Sequence, residues 1–176
     1  MDDTSRRRAE LAAAVRGRLS DIYAYFRRLG VDAATAEDLA QDTFILAWQG
    51  IANLRDETKL RSWLYGIAYR RYLQYRESVR PSAPLADDVT ASSADDPGDD
   101  EHLTAQAIRA AVLALPAEYL HPVVLLYWEG ISYKDAARAL SLPIGTFAWR
   151  VHKAMKLLRR ALAEKGADND PVPQES

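Results

Sequence analysis

The sequence predicts an all-α protein of two small helical domains joined by a flexible acidic linker. Apolar residues recur at three- and four-residue steps in several stretches, and no stretch shows the two-residue alternation of a half-buried strand. Residues 81–103 separate two groups of such stretches and contain seven acidic residues but no lysine or arginine. Because most of this segment is Pro, Ser, Ala and Asp, it is predicted to be the linker. Its charge is also explained if it only keeps the chain in solution.

The predicted N-terminal domain, residues 5–80, begins with two amphipathic helices. The first ends at Gly30, and its apolar stripe consists of Leu11, Val15, Leu19, Ile22, Phe26 and Leu29. The second runs from Thr35 to about Gln49, because Thr35 and Asp38 match the S/T-x-x-D/E pattern of a helix start.

The second helix carries a polar strip beside its apolar side. Spacings of three and four residues place Asp38, Gln41 and Asp42 on one exposed face. A strip of this kind is often only solvated. The alternative is a docking surface for a protein partner.

A third helix follows a polar loop, and Thr58 is predicted to cap it. The side chains expected to point inward are Leu60, Trp63, Leu64, Ile67 and Ala68. On the opposite face tyrosine and arginine alternate, as Arg61, Tyr65, Tyr69, Tyr72, Arg76 and Arg80. Aromatic rings and cations on one face are what a platform for single-stranded nucleic acid requires. Alternatively, the tyrosines pack against the first helix and the arginines are solvated.

The predicted C-terminal domain covers residues 104–163. Its first helix buries Leu103, Ala107, Ala111, Val112 and Leu115, and the next runs from Tyr119 to Trp128 and stops at Gly130. Ser132 caps a short helix that contains Ala136, Ala137 and Leu140. After the turn Ser141-Leu142-Pro143, a last helix runs from about Gly145 to Ala163. The last two helices form a helix-turn-helix, and residues 164–176 are predicted to be a disordered tail.

The last helix is strongly basic on one side. Its buried stripe is Phe147, Val151, Ala154, Leu158 and Leu162, and the opposite face carries Trp149, His152, Lys153, Lys156, Arg159 and Arg160. Residues 104–163 contain eight lysines and arginines against three acids. This is the pattern of a recognition helix, which lies in the DNA major groove with its later cations near phosphates. A basic surface helix of a bundle is the simpler alternative.

Composition excludes several other classes. There are no cysteines among the 176 residues, and the histidines (His102, His121 and His152) have no ligand spacing, so neither a metal nor another cofactor is expected. No nucleophile–base pair or phosphate-binding Gly loop suggests an enzyme. No apolar run is long enough to span a bilayer and the N-terminus is charged, so the chain is expected in the cytoplasm.

Three stretches resemble the extracytoplasmic-function (ECF) subfamily of bacterial sigma-70 family sigma factors. Residues 36–48, A-E-D-L-A-Q-D-T-F-I-L-A-W, are similar to its core-polymerase-binding helix. Residues 54–68 are similar to the loop and helix with which these proteins read and melt the −10 promoter element. Residues 115–162 are similar to the region that reads the −35 element, with landmarks Leu115-Pro116, Glu129-Gly130-Ile131-Ser132-Tyr133, Ala136-Ala137, Gly145-Thr146, Arg150 and Arg159.

The resemblance implies three sets of binding residues. The residues implied to bind core polymerase are Asp38, Gln41, Asp42 and Ile45. Those implied to bind the −10 element are Leu54, Arg55, Asp56, Glu57, Thr58, Lys59, Arg61, Trp63, Tyr65, Tyr69 and Arg70. Those implied to bind the −35 element are Thr146, Ala148, Trp149, Arg150, His152, Lys153, Lys156 and Arg160.

The resemblance also implies the partners. They are bacterial core RNA polymerase, through its β′ clamp helices and β flap, promoter DNA, and an anti-sigma factor. No membrane and no homo-oligomer are expected. The loop 54–59 would hold a base flipped out of the non-template strand, and the linker would thread towards the RNA exit path of the polymerase.

The sequence departs from the family pattern at two places. Ala148 and Trp149 stand where the family usually has a basic residue followed by Ser, and apolar side chains favour a thymine methyl over a guanine edge. An atypical −35 motif is therefore expected. Arg70 stands where the family commonly has Asn, which puts the contact at the −10 junction in doubt.

Two other functions are compatible with parts of the chain. A stand-alone helix-turn-helix regulator would explain the C-terminal domain, but would leave residues 36–48 and the Tyr/Arg helix unused. An interaction protein that uses only the acidic strip would not need Lys153, Lys156 and Arg160.

Overall fold

A computed structural model describes residues 3–79 and 99–167. Eight α-helices occupy most of these residues: α1 (Asp3–Arg16), α2 (Leu19–Arg28), α3 (Ala33–Gly50), α4 (Leu60–Ser78), α5 (Asp99–Leu113), α6 (Ala117–Val123), α7 (Tyr133–Ala139) and α8 (Ile144–Ala167). Short 3₁₀ turns lie at Ile51–Asn53 and Glu57–Lys59, and a wide π-helical turn at Val124–Trp128. Over these described ranges there is no strand, which confirms the all-α prediction.

The predicted first helix is two helices. The chain breaks at Gly17, where the amides of Gly17 and Arg18 donate to carbonyls of the last turn of α1 at 3.0 Å. Glycine costs about 1 kcal/mol relative to alanine inside a helix, so the break falls where continuing the helix is least favourable. The stripe is buried on both sides of the break except at Leu19, which is exposed.

The helix starts predicted at Thr35 and Thr58 are wrong. The carboxylate of Asp32 caps α3 and accepts from the Thr35 amide at 3.0 Å, and this hydrogen bond lowers the pKa of Asp32. A carboxylate is the stronger acceptor at a helix N-terminus because it also interacts with the helix dipole. In the same way Asp56 accepts from the Thr58 amide, and α4 begins only at Leu60.

The C-terminal part follows its prediction more closely. Ser132 caps α7 by accepting from the Asp135 amide at 3.2 Å, as predicted. Helix α5 begins at Asp99, so residues 99–103 of the predicted linker are helical, and residues 81–98 lie outside the described residues. Helix α8 continues to Ala167, past the predicted start of the tail, and residues 168–176 are outside the described part.

The two halves of the chain, 3–79 and 99–167, pack directly on each other. Their buried apolar residues form one continuous cluster. Helix α4 of the N-terminal half crosses α7 so closely that a Cβ at Gly66 would lie 3.2 Å from the carbonyl oxygen of Ala139. Only glycine permits this approach without a shift of one helix. The described residues therefore form one body in which each half covers part of the other.

Candidate protein and nucleic-acid interfaces

The predicted polymerase strip lies on the outer face of α3. Asp38 and Gln41 are exposed, and Ile45 is 51% exposed although it is apolar. The opposite side of α3 is buried. Thr43 is the polar residue on that buried side, and its hydroxyl donates to the Leu39 carbonyl at 2.7 Å. The strip therefore presents a mixed apolar and acidic surface of the kind that suits a protein partner.

Asp42 differs from the rest of the predicted strip. Its carboxylate accepts a hydrogen bond from the Arg71 guanidinium of α4, and both side chains are partly buried. This ion pair fixes α4 against α3 and leaves Asp42 only half available to a partner.

The predicted −10 loop, residues 54–59, is anchored at one end and exposed along its middle. Leu54 is buried, while Arg55, Asp56, Glu57 and Thr58 are exposed. The Thr58 hydroxyl donates to Asp56 at 2.6 Å, and this bond lowers the pKa of the Asp56 carboxyl. These local bonds hold the loop in one shape.

Arg7 of α1 is a contact of this loop that the sequence did not reveal. Its guanidinium donates to Glu57 at 2.8 Å and to the Arg55 carbonyl at 3.4 Å. The residues are about fifty positions apart, and nothing in the local pattern around Arg7 distinguishes it from the neighbouring arginines.

The Tyr/Arg face of α4 is covered rather than open. Tyr65 is 1% exposed and Tyr72 is 2% exposed, and Tyr69 and Arg61 are half-buried. The alternative interpretation was that these tyrosines pack against the first predicted helix. It holds for one contact, because Tyr65 packs edge-on against Tyr25 of α2 with ring centroids 5.3 Å apart. The rest of the cover comes from the C-terminal half of the chain.

The remaining −10 residues lie around this covered face. Arg70 and Arg76 are exposed, and Arg80 is outside the described residues. Trp63 is half-buried and packs on the end of α3, where a Cβ at Gly50 would lie 3.3 Å from its ring. This packing supports the prediction that Trp63 points inward more directly than the prediction that it contacts DNA.

Glu129 is the centre of the contact between the halves. It is 4% exposed, and its carboxylate accepts from the Tyr65 hydroxyl and from the Arg28 guanidinium. Its backbone carbonyl accepts from Arg61. The Tyr65 pKa is raised, first by burial and then by the hydrogen bond to Glu129.

His121 fills an aromatic cage beside Glu129. Its Nδ1 lies 2.9 Å from the Tyr25 hydroxyl, and the rings of Tyr69 and Tyr72 meet it edge-on at 4.8 and 4.7 Å between centroids. Burial, together with the positive charge of Arg76, lowers the pKa of His121 to about 3. The imidazole is therefore neutral in this packing, and within the described residues its Nε2 has no hydrogen-bond partner.

Sequence reasoning missed the group formed by Tyr25, Arg28, His121 and Glu129. Each contact joins residues roughly sixty to one hundred positions apart, from different helices. The only local sign was a histidine inside the apolar run 120–126, which is hard to explain unless a partner satisfies the ring.

The predicted −35 face of α8 is open to solvent. Phe147, Val151, Ala154 and Leu158 are buried beneath it, as predicted, while Leu162 is half-buried. The exposed side chains are Thr146, Ala148, Trp149, His152, Lys153, Lys156, Arg159 and Arg160. This basic, helical and unobstructed surface has the form needed to enter a major groove.

Two residues of this face have partners on α6. Trp149 is 55% exposed and contacts the Tyr119 ring edge-on, with centroids 6.1 Å apart. Arg150 is half-buried and lies 4.0 Å from the Glu118 carboxylate. Arg150 therefore lies at the side of the basic face rather than at its centre.

Among residues 3–79 and 99–167, no helix is both long and apolar enough to cross a bilayer. The same residues contain no group of three or more His, Cys, Asp or Glu side chains placed to hold a metal ion.

Comparisons with known proteins agree with this arrangement. The family model described as Sigma-70 region 2 matches residues 14–80, and the model described as Sigma-70, region 4 matches residues 105–158. The chain is 30% identical over 155 residues to the ECF RNA polymerase sigma factor SigL of Mycobacterium tuberculosis, covering 82% of this chain and 84% of SigL. It is 32% identical over 162 residues to SigE of Mycolicibacterium smegmatis, covering 88% of this chain but only 62% of SigE.

A solved structure has the same fold. The sigma factor RpoE of Bartonella quintana, in complex with the anti-sigma factor NepR, superimposes with a TM-score of 0.65 and 27% identity, covering 86% of this chain and 95% of RpoE. The two sigma-70 region models match this chain in the order region 2, then region 4, and SigL is matched over most of its length. These matches together identify the family. The chain belongs to the ECF subfamily of sigma-70 family RNA polymerase sigma factors.

Proposed function

We propose that this chain directs promoter-specific initiation by carrying core RNA polymerase to a −35 element and to a melted −10 element. The observation that supports this best is that one chain matches the models of both sigma-70 region 2 and sigma-70 region 4. Such a subunit supplies specificity and performs no catalysis itself, and it acts in the cytoplasm, where the polymerase is.

The outer face of α3 is proposed to dock on the β′ clamp helices. Asp38 and Gln41 would contribute polar contacts and the exposed Ile45 an apolar one. Asp42 would take part less, because Arg71 already holds its carboxylate. The C-terminal half is proposed to meet the β flap.

Helix α8 is proposed to read the −35 element. Its N-terminal residues Thr146, Ala148 and Trp149 would face base edges, while Lys153, Lys156 and Arg160 would lie near phosphates. Because Ala148 and Trp149 are apolar, the preferred contact is a thymine methyl rather than a guanine edge.

The loop 54–59 and α4 are proposed to hold the opened −10 strand. The exposed tip of the loop is held in shape by Asp56 and Arg7, as a pocket for a flipped base requires. Tyr65, Tyr69 and Arg61 would offer stacking and phosphate contacts. Two moderate DNA contacts on one chain add by effective concentration, so neither needs to be tight alone.

A protein inhibitor is also proposed. The similar RpoE structure contains the anti-sigma factor NepR. A partner of that kind is expected for this chain. Since this sequence has no cysteine, any thiol-based signal sensing would have to occur in the partner.

Run-off transcription with purified core polymerase on genomic fragments tests the proposal. The wild-type chain should give discrete transcripts only with core enzyme present, and mapping them gives both promoter elements. The double variant Asp38→Ala/Gln41→Ala should lower transcript yield at least about tenfold. Glu37→Ala, an exposed neighbour outside the strip, is the matched control and should leave it unchanged.

A different outcome would support a different protein. If the chain bound specific duplexes with full affinity but never produced transcripts with core enzyme, it would be a stand-alone regulator, and the proposed function would be wrong.

A further inference from the structure

A groove lies between α2 and the start of α3 on one side and α5 and the π-helical turn 124–128 on the other. Its volume is about 880 Å³, within the roughly 300–1,000 Å³ of small-molecule sites. None of the residues proposed to bind polymerase or DNA lines it. We infer that this groove binds an amphipathic carboxylate, that is, a long apolar chain with one negatively charged head group.

The two walls of the groove are single faces of helices. On α2, Tyr23 and Arg27 are four residues apart, and on α5, Ile108 and Arg109 follow Ala105 by three and four residues. Such spacings place side chains on the same face of a helix. Each wall therefore presents a large apolar side chain and an arginine to the groove.

The floor of the groove is apolar and firmly packed. Val112 and Val124 line it and are buried. The two walls come together at Leu113, another lining residue, because a Cβ at Gly30 would lie only 3.3 Å from its Cδ2. The groove is thus a depression between packed helices rather than a gap in a loop.

Three large apolar side chains of the groove remain exposed. Tyr23 is 36% exposed, Ile108 is 39% exposed and Trp128 is 41% exposed. Single exposed apolar residues need no explanation, but a group of them around one depression indicates a binding surface. An apolar chain laid along the groove would remove this surface from water, which is favourable.

The charge of the groove has one sign. Its lining includes Arg27, Arg28 and Arg109, and among the lining residues that the structure describes none is acidic. Guanidinium groups bind carboxylates with paired, charge-assisted hydrogen bonds. Charge complementarity therefore requires an anion, and the apolar floor requires that this anion carry an apolar chain.

The three guanidinium groups are not equally available to a ligand. Arg27 donates to the Val31 carbonyl at 2.9 Å, and Arg28 donates to the Glu129 carboxylate. Arg109 is half-buried and forms no ion pair with a side chain that the structure describes. One unengaged cation suits a head group with a single charge, so a carboxylate fits better than a phosphate monoester, whose charge is about −1.5 to −2 at pH 7.

Calorimetric titration of the full chain with decanoate, below its micelle concentration, tests this site. Wild type should bind one decanoate. Decan-1-ol, which has the same chain without the charge, should bind at least about tenfold more weakly. Equal binding of the alcohol would mean that the groove is an apolar surface without a carboxylate site.

Two variants act on the two parts of the site. Arg109→Gln removes the proposed head-group contact and should weaken decanoate binding about tenfold. Ala105→Trp fills the groove from an exposed position on α5 and should abolish binding. The matched controls are Arg16→Gln and Ala110→Trp, at exposed positions that do not line the groove, and both should bind decanoate as wild type does.

Circular dichroism shows which variants fold. If Arg109→Gln or Ala105→Trp fails to fold, the other variant decides the result. Wild-type affinity for decanoate in the folded groove variants would place the ligand elsewhere and overturn the assignment of this groove.

The acidic residues of the chain itself are the competing occupant of a basic groove. A variant with Asp87, Asp88, Asp95 and Asp96 all replaced by asparagine should bind decanoate as tightly as wild type. If this variant binds decanoate and wild type does not, the acidic segment occupies the groove and the proposed ligand is wrong. Absence of binding by both chains would equally rule out a carboxylate site.

Discussion

Helix α8 and helix α4 carry faces of the same general type, and the structure treats them oppositely. Both have cations and aromatic rings opposite an apolar stripe. The face of α8 is open, with Trp149 55% exposed, whereas on α4 Tyr65 is 1% exposed. The pattern tells which side of a helix turns away from its own domain core. It does not tell whether another part of the chain covers that side.

The two faces also differ in how their cations are used. On α4, Arg61 donates to the Glu129 carbonyl, and Lys59 just before the helix pairs with Asp135. On α8, Lys153 and Lys156 are exposed. The α8 face is therefore ready for DNA in the free chain, and the α4 face is occupied by protein.

The largest expected effect follows from this difference. Lys153→Ala/Lys156→Ala should weaken binding of free chain to a −35 duplex by about ten- to a hundredfold and reduce the salt slope by about two. The double change Lys59→Ala/Arg61→Ala should leave that binding nearly unchanged, because its side chains face the C-terminal half. Titrations at several salt concentrations measure both. Equal losses in the two variants would contradict the contrast.

The next largest effect concerns His121, which should make the cover of the α4 face depend on pH. The packing of the two halves on each other holds the pKa of His121 near 3, while their separation would restore it towards its ordinary 6.5. The separated form therefore binds the proton, and the packing of the two halves should be fully favoured above about pH 6.5 and weaken below it by up to about tenfold per pH unit. The charged and titratable groups around the ring are Tyr25, Tyr69, Tyr72 and Arg76.

The chain has no cysteine, so Ser20→Cys and Lys134→Cys, at exposed positions on α2 and α7, give one dye pair, and energy transfer between these dyes from pH 7.5 to about pH 5 checks this sign. Transfer should fall on acidification. The variant His121→Phe, which cannot bind a proton, should show a much flatter profile. A wild-type profile as flat as that of His121→Phe would mean that protonation of the ring does not affect the packing of the two halves.

A specificity change on α8 is expected to be smaller in affinity but clear in sequence preference. Ala148→Arg/Trp149→Ser restores the basic residue and Ser that the family usually has. An arginine can bind a guanine edge with two hydrogen bonds, worth about 1–3 kcal/mol against the wrong base. Selection from a randomised −35 duplex pool should move from thymine towards guanine at one position. An unchanged preference would mean that these residues do not face bases.

The smallest effect tests the helix starts. Asp32→Ala should lower the free energy of unfolding by about 1 kcal/mol, because the Thr35 amide loses its acceptor. Since the Asp32 pKa is lowered in the folded chain, this contribution is present above the ordinary pKa of 3.8 and is lost as pH falls through the folded value. Urea denaturation at pH 7 measures it. Thr35→Ala is the control and should cost less.

Much of the fold was readable from local pattern alone. The apolar stripe of α8 and the Ser132 cap of α7 follow from spacing and side-chain chemistry within a few residues, and both are as predicted except that Leu162 is half-buried. Errors arose where two local choices competed. Asp32 and Thr35 are both good caps, and the decision between them depended on which acceptor reaches the first free amides.

The sequence by itself determined the helices, their apolar faces and the family to which they belong, because these depend on contacts within a turn or two. Only the tertiary structure decided that Glu129 meets Arg28 and Tyr65, or that Gly66 meets Ala139, across the middle of the chain. A periodic pattern fixes the direction of a polar face but carries no information about what approaches it. That depends on how two separately encoded helical units rotate against each other, which is settled by packing and by the pairing of buried charges.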